Sequence, residues 1–136
     1  MTVSTLINAG FDPNSAPSLV DCERVLVVED EAVWQLIIER ALRLIDPRID
    51  VTFSKTESQA IDALSSEGKF DFIIADYLLN GSKTGLDLWN KLRSEQLEVP
   101  FVLLSGMKRT DFVSELSKDQ KLIIPPFIEK SGSVKA

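Results

Sequence analysis

The chain alternates between two hydrophobic rhythms. Arg24-Val25-Leu26-Val27-Val28 is a short, β-branched apolar run that stops abruptly at Glu29-Asp30-Glu31, the pattern of a strand buried on both faces that delivers acids at its C-terminal end. Over Glu31 to Ile45, Val33, Trp34, Ile37, Ile38, Ala41, Leu42 and Ile45 recur at helical spacing, and Asp46-Pro47 ends the run because a residue before proline is pushed out of the helical region. The unit then repeats. A strand over Ile49 to Phe53 leads to a helix from about Thr56, with Gln59 as its capping-box partner and Gly68 as terminator. Phe72 to Ala75 predicts a third buried strand ending on Asp76, followed by a loop from Gly81 to Gly85 and a helix carrying Leu86, Leu88, Trp89 and Leu92. Pro100 introduces a fourth strand, Phe101 to Leu104, which ends on Ser105-Gly106. A weaker helix over 110–118 uses Phe112, Val113 and Leu116, and Leu122 to Ile128 holds a fifth strand interrupted by Pro125-Pro126. Parallel strands need crossover connections and cover on both faces, so the alternation predicts an α/β fold with a doubly wound, five-stranded parallel sheet.

Residues 1–21 differ in character. Asp12-Pro13-Asn14, Ala16-Pro17 and several serines read as turns and loose chain, with one short helix over Ser4 to Ala9. The expected organisation is an N-terminal extension, 1–21, and one domain, 22–136. At 136 residues, 44% hydrophobic and 26% charged, the chain has no room for a second full domain. A net charge of −6 disfavours nucleic acid or an anionic membrane as a direct partner. Cys22 is the single cysteine, as suits an inert thiol in a reducing compartment. No stretch approaches the roughly 20 apolar residues of a membrane helix, and Met1 to Gly10 lack the charge and apolar core of a secretory signal, so a cytoplasmic product is expected. There is no histidine, which removes imidazole zinc sites and Ser-His-Asp catalysis. Acid chemistry must run on carboxylates.

In an open α/β sheet the site lies outside the carboxyl ends of the strands. The predicted strands end there in Glu29-Asp30, Asp76 and Ser105, and the fifth leads into Glu129-Lys130. Crowded carboxylates raise one another's pKa unless a hard cation neutralises them, and Mg²⁺ accepts a few carboxylates together with waters. A carboxylate beside such a metal can attack phosphorus while an ammonium and a hydroxyl bind the transferred oxygens. Taken singly, each group has an ordinary explanation: acids at a helix N-terminus, a Ser-Gly turn, a solvated lysine. Their joint placement at one edge makes them a site. Trp34 and Trp89 read as core or partial-core residues.

Val25-Leu-Val-Val-Glu-Asp-Glu31, Asp76 with the Gly85-Leu86 turn, Pro100 through Leu104-Ser105-Gly106, and Phe127-Ile128-Glu129-Lys130-Ser131 together resemble the response-regulator receiver family over about residues 23–131. The resemblance implies a flavodoxin-like sheet of order 2-1-3-4-5 and a phosphoacceptor switch fed by a histidine kinase or histidine phosphotransfer protein, with a downstream protein partner and a possible homodimer. It makes Asp76 the phosphoacceptor and a Mg²⁺ ligand, Asp30 a direct ligand, Glu29 a ligand through a metal-bound water, and Leu78 the donor of a backbone carbonyl. Ser105 and the Gly106 N–H would contact the phosphoryl group, Lys130 would pair with it, and Phe127 holds the switch-aromatic position without a hydroxyl. Such a protein modifies itself and is not an enzyme in the turnover sense.

Several positions depart from that family's pattern. Ser131 stands where a proline usually follows the lysine, which leaves the aim of Lys130 open, and an alternative register aligning Pro125-Pro126-Phe127 with the usual Lys-Pro-Phe would delete the lysine. The loop from Asp76 to Gly85 is longer than usual, with Asn80-Gly81 as an extra turn. Only residues 132–136 follow Ser131, too few for the usual fifth helix, so that helix is expected to be missing or truncated. Two other function classes compete: a receiver-like module that binds partners constitutively, and a Mg²⁺-dependent phosphohydrolase. The second is disfavoured because Asp76-Tyr77-Leu78 lacks the second aspartate of haloacid-dehalogenase-like enzymes.

Overall fold

A computed structural model describes residues 23–66, 68–79, 84–116 and 125–130. The expected extension over 1–21 with its short helix at Ser4 to Ala9, Cys22 at the start of the domain, the Asn80-Gly81 turn and the question of a fifth helix all lie outside the described residues. The elements are β1 (Arg24–Val28), α1 (Ala32–Ile45), β2 (Asp50–Ser54), α2 (Glu57–Ser66), β3 (Phe72–Asp76), α3 (Gly85–Ser94), β4 (Phe101–Ser105), α4 (Arg109–Leu116) and β5 (Phe127–Glu129). The strands form one parallel sheet of order β2-β1-β3-β4-β5, as expected.

The β-branched runs sort onto two faces because side chains alternate along a strand. Val25, Val27, Phe72, Ile74, Val102, Leu104 and Ile128 pack with Ile38, Ala41 and Leu42 of α1. Leu26, Val28, Ile73, Ala75, Phe101, Leu103 and Phe127 face the other way, against Ala60, Ala63, Leu86, Leu88, Leu92 and Phe112 of α2, α3 and α4. Every residue of β3 and β4 is buried, which explains why their sequences read as continuous apolar runs rather than as alternation.

Differences from the expected elements are local. Glu31 stands at the N-cap of α1, one residue before the helix, and makes no side-chain cap. At α2, Thr56 does accept from the Gln59 N–H, but Gln59 returns its side chain to the Lys55 N–H rather than to Thr56. The full capping box lies instead at α3, where Thr84 and Asp87 bond reciprocally; the sequence reading passed over it. β5 starts at Phe127, after Pro125-Pro126, since proline cannot donate to the ladder. Its pairing of Leu103 with Phe127 and Ser105 with Glu129 settles the register, and Lys130, not Pro125, leaves the strand toward the acids.

Candidate functional site

β1 and β3 are neighbours at the centre of the sheet, so their C-terminal residues emerge side by side. One carboxylate oxygen from each of Glu29, Asp30 and Asp76 lies within 4.8 Å of the others. Glu29 is fully buried, Asp76 nearly so, and Asp30 is half-buried. From β5 the Lys130 ammonium enters between them, 2.7 Å from Glu29 Oε1 and 3.0 Å from Asp76 Oδ2. Its aim is fixed by its own backbone N–H, which donates to the Ser105 carbonyl at 2.7 Å. The lysine therefore points into the site although no proline follows it.

Backbone contacts hold the acids. The Glu29 N–H donates to the Ser54 carbonyl at 2.8 Å, and the Tyr77 N–H to the Leu104 carbonyl at 2.7 Å. Gln35, which the sequence reading did not single out, donates through Nε2 to the Glu29 carbonyl at 2.7 Å, tying the first turn of α1 to the end of β1. The Glu31 N–H donates to Glu29 Oε2 at 3.2 Å. Leu78 is 62% exposed, and an antiparallel bridge between Leu78 and Thr84 closes the base of the loop. Ser105 is buried, with its Oγ accepting from the Met107 N–H at 3.0 Å; Gly106 beside it is exposed, with open space where a Cβ would stand.

Phe127 lies under this edge, stacked on Phe112 with centroids 4.8 Å apart, and Phe112 meets Tyr77 edge-on at 5.2 Å. A ladder of three rings thus runs from the residue after Asp76 to β5. Of the two tryptophans, Trp89 is half-buried with the Arg93 guanidinium over its ring. Trp34 is buried as expected, but it also carries the Lys130 ammonium 4.9 Å from its ring centroid.

Burial pushes the Glu29 carboxyl up from 4.5 to about 7, outweighing the hydrogen bond from Lys130. Burial likewise raises the Asp76 carboxyl, against the lowering charge of Lys130. Burial alone would lower the Lys130 ammonium, but its hydrogen bond to Glu29 and the Asp76 charge raise it. Three carboxylates against one ammonium leave a site that attracts cations.

This has a measurable consequence for stability. Without a divalent cation, folded Glu29 holds a proton between pH 4.5 and about 7 that the unfolded chain has released. Stability is then expected to fall as pH rises through that window, because the folded state binds more protons. A cation that binds the ionised carboxylates should reverse the slope. Urea unfolding at a series of pH values, with and without Mg²⁺, checks both signs; a metal-free stability that climbs steadily across this range would contradict the burial of Glu29.

The sequence pattern of the response regulator receiver domain family matches residues 25–123. The chain belongs to that family. The match ends before β5, so the place of Phe127 and Lys130 in this receiver domain rests on the strand pairing and distances above. The chain is also 29% identical to the two-component response regulator ARR3 of Arabidopsis thaliana, over 90% of this chain and 58% of that protein; it spans little more than half of the relative's length. Its fold is similar to the response regulator receiver protein from Sinorhizobium medicae, with a TM-score of 0.64 at 22% identity, covering 84% of this chain and 86% of that one. It is similar as well to the response regulator protein TrrA from Thermotoga maritima in complex with Mg²⁺-BeF, with a TM-score of 0.59 at 21% identity over 83% and 90% of the two chains. This is a receiver domain of a two-component response regulator. Among the described residues no helix is long and apolar enough to cross a membrane.

Proposed function

We propose that this receiver domain is a phosphoacceptor switch in which Asp76 takes a phosphoryl group from a histidine kinase or histidine phosphotransfer protein, in a Mg²⁺-dependent transfer. The observation that carries the proposal is the convergence of Glu29, Asp30 and Asp76 within 4.8 Å with the Lys130 ammonium between two of them. The donor set fits the metal: three carboxylates, with neither nitrogen nor sulfur in the cluster, suit a hard cation that keeps several waters. Asp30 and Asp76 would hold it directly, Glu29 through water, and Leu78 through its backbone carbonyl. Bound there, Mg²⁺ supplies charge neutralisation for the carboxylates and for the phosphoryl oxygens. The Mg²⁺-BeF complex of the structurally similar TrrA supports this choice.

Asp76 then acts as nucleophile. One of its oxygens attacks phosphorus, the O–P bond forms as the P–N bond of the donor phosphoimidazole breaks, and the ring nitrogen leaves with the electron pair. Lys130 and the Ser105 hydroxyl bind the phosphoryl oxygens, and the exposed Gly106 offers its backbone N–H beside them. Recruiting Ser105 away from the Met107 N–H shifts the β4–α4 loop, and the Phe112–Phe127 stack carries the change into α4 by packing, because Phe127 has no hydroxyl to bond. The altered surface selects a downstream protein partner. The activity is self-modification and slow self-hydrolysis, not turnover of a separate substrate. A constitutive binding module would have no use for a complete acid pocket with an aimed lysine.

Incubation with Mg²⁺ and acetyl phosphate, followed by intact mass, tests the proposal: one added phosphoryl group supports it, and no adduct from folded protein refutes it. The lifetime of that adduct provides a second check. Leu78 is apolar and exposed beside the site and cannot orient an attacking water, so the phosphoryl group is expected to persist well beyond seconds. Leu78→Asn, which supplies an amide to hold that water, should shorten the lifetime about tenfold. Loss of the label within seconds in the unaltered protein would contradict the role given to Leu78.

A further inference from the structure

We infer that Trp34 is a positioning residue for the Lys130 ammonium, a neutral seat that keeps the lysine in the site when its carboxylate partners are taken up by a cation. This rests on the phosphoacceptor reading above for its consequence, though not for its geometry.

Lys130 reaches the acids on a flexible four-carbon stem, and a compact ammonium on such a stem is held only by what surrounds its end. Among the described residues three contacts surround it: Glu29 Oε1 at 2.7 Å, Asp76 Oδ2 at 3.0 Å and the Trp34 ring, with Nζ 4.9 Å from the centroid. The two carboxylates are also members of the acid cluster. A divalent cation bound by that cluster withdraws their charge from the lysine and repels the ammonium directly. The indole is different, because its negative face attracts a cation without being a ligand for a hard metal. Its grip on Lys130 survives when the ion pairs weaken.

Trp34 is well placed to act as a fixed wall. It is only 8% exposed and sits in the first turn of α1, where Gln35 bonds the Glu29 carbonyl at 2.7 Å. The helix turn that presents the indole is therefore registered on the same strand end that presents Glu29. A partly desolvated cation–π contact is among the stronger of its kind, and it leaves the ammonium free to donate toward Asp76.

The test compares the unaltered domain with Trp34→Leu, which keeps an apolar filler but no π face, and Trp34→Phe, which restores one. In metal-free protein, NMR of Lys130 ε-methylene protons is expected to show an upfield ring-current shift that Trp34→Phe partly retains and Trp34→Leu loses. With acetyl phosphate and Mg²⁺, Trp34→Leu should lower the phosphorylation rate constant at saturating donor about tenfold, with the Mg²⁺ half-saturation unchanged, and Trp34→Phe should recover most of the loss. In a Lys130→Met background the same leucine change should cost nothing further, because Trp34 acts only through the lysine.

An equal loss with and without the lysine would make Trp34 a packing residue and overturn the inference. Lys130 methylene signals that do not respond to Trp34→Leu would overturn it as well. If the unaltered protein takes no phosphoryl group, the phosphoacceptor reading is what fails, and the NMR comparison still decides the seat.

Discussion

Asp76→Asn is expected to abolish phosphorylation by acetyl phosphate and Mg²⁺, lowering the rate by about three orders of magnitude or more, while raising the melting temperature of the metal-free domain. The first effect follows from chemistry: an amide oxygen is a poor nucleophile, and the change also removes one carboxylate charge from the cluster of Glu29, Asp30 and Asp76. The second follows from burial, which raises the Asp76 carboxyl above its ordinary range; a group whose charge the fold disfavours destabilises the fold when ionised. Asparagine has nearly the same shape, can still accept from Lys130, and relieves repulsion between the acids. Function and stability should therefore move in opposite directions at one residue, as they do where a site has been strained for its task. Intact mass and a thermal melt read the two. Persistent labelling of the asparagine variant would place the phosphoryl group elsewhere, and a lower melting temperature would mean that the Asp76–Lys130 ion pair outweighs burial.

Gly85→Ala is expected to produce the largest stability loss of any single-methyl change near the site, about 3 kcal/mol as an overpacking defect. A Cβ at position 85 would collide with the Asp76 carbonyl oxygen and stand 2.8 Å from Leu103 Cδ1. The first obstacle is backbone at the end of the central strand and cannot rotate away. Gly85 is also buried at the start of α3, and its N–H donates to the Tyr77 carbonyl at 2.9 Å, so helix and strand are locked at this distance. Relaxation must push α3 off the sheet or displace Asp76. Urea unfolding and the phosphorylation rate should fall together. Gly106→Ala is the natural control, since nothing stands within 4 Å of its Cβ position; equal stability of the two variants would remove the steric explanation.

Much of this protein is legible in its sequence because its elements are dictated locally. Arg24 to Val28, Phe72 to Asp76 and Phe101 to Ser105 are buried strands, and no other structure suits so short a run of branched apolar residues bounded by polar ones. The spacing of Trp34, Ile38, Ala41 and Leu42 gives the buried face of α1. Once the alternation of strand and helix forces a parallel sheet, the acids at strand ends must share an edge. For that reason the gathering of Glu29, Asp30, Asp76 and Lys130 is legible in the chain itself. β5 was less legible, because Pro125-Pro126 breaks its hydrophobic run and two registers of the segment remained open.

Short-range periodicity and the obligatory direction of parallel strands thus set β1 to β4, the main helical face, the sheet class and the residue types gathered at its C-terminal edge. The register of β5, the aim of Lys130 between Glu29 and Asp76, the seating of its ammonium on Trp34, the ring ladder from Tyr77 to Phe127 and the collision that a side chain at position 85 would meet emerge only in the folded chain. Each of these is a meeting of residues far apart in the chain, governed by distances of a few ångströms. Local periodicity constrains which face a residue occupies; it leaves open which distant side chain it touches.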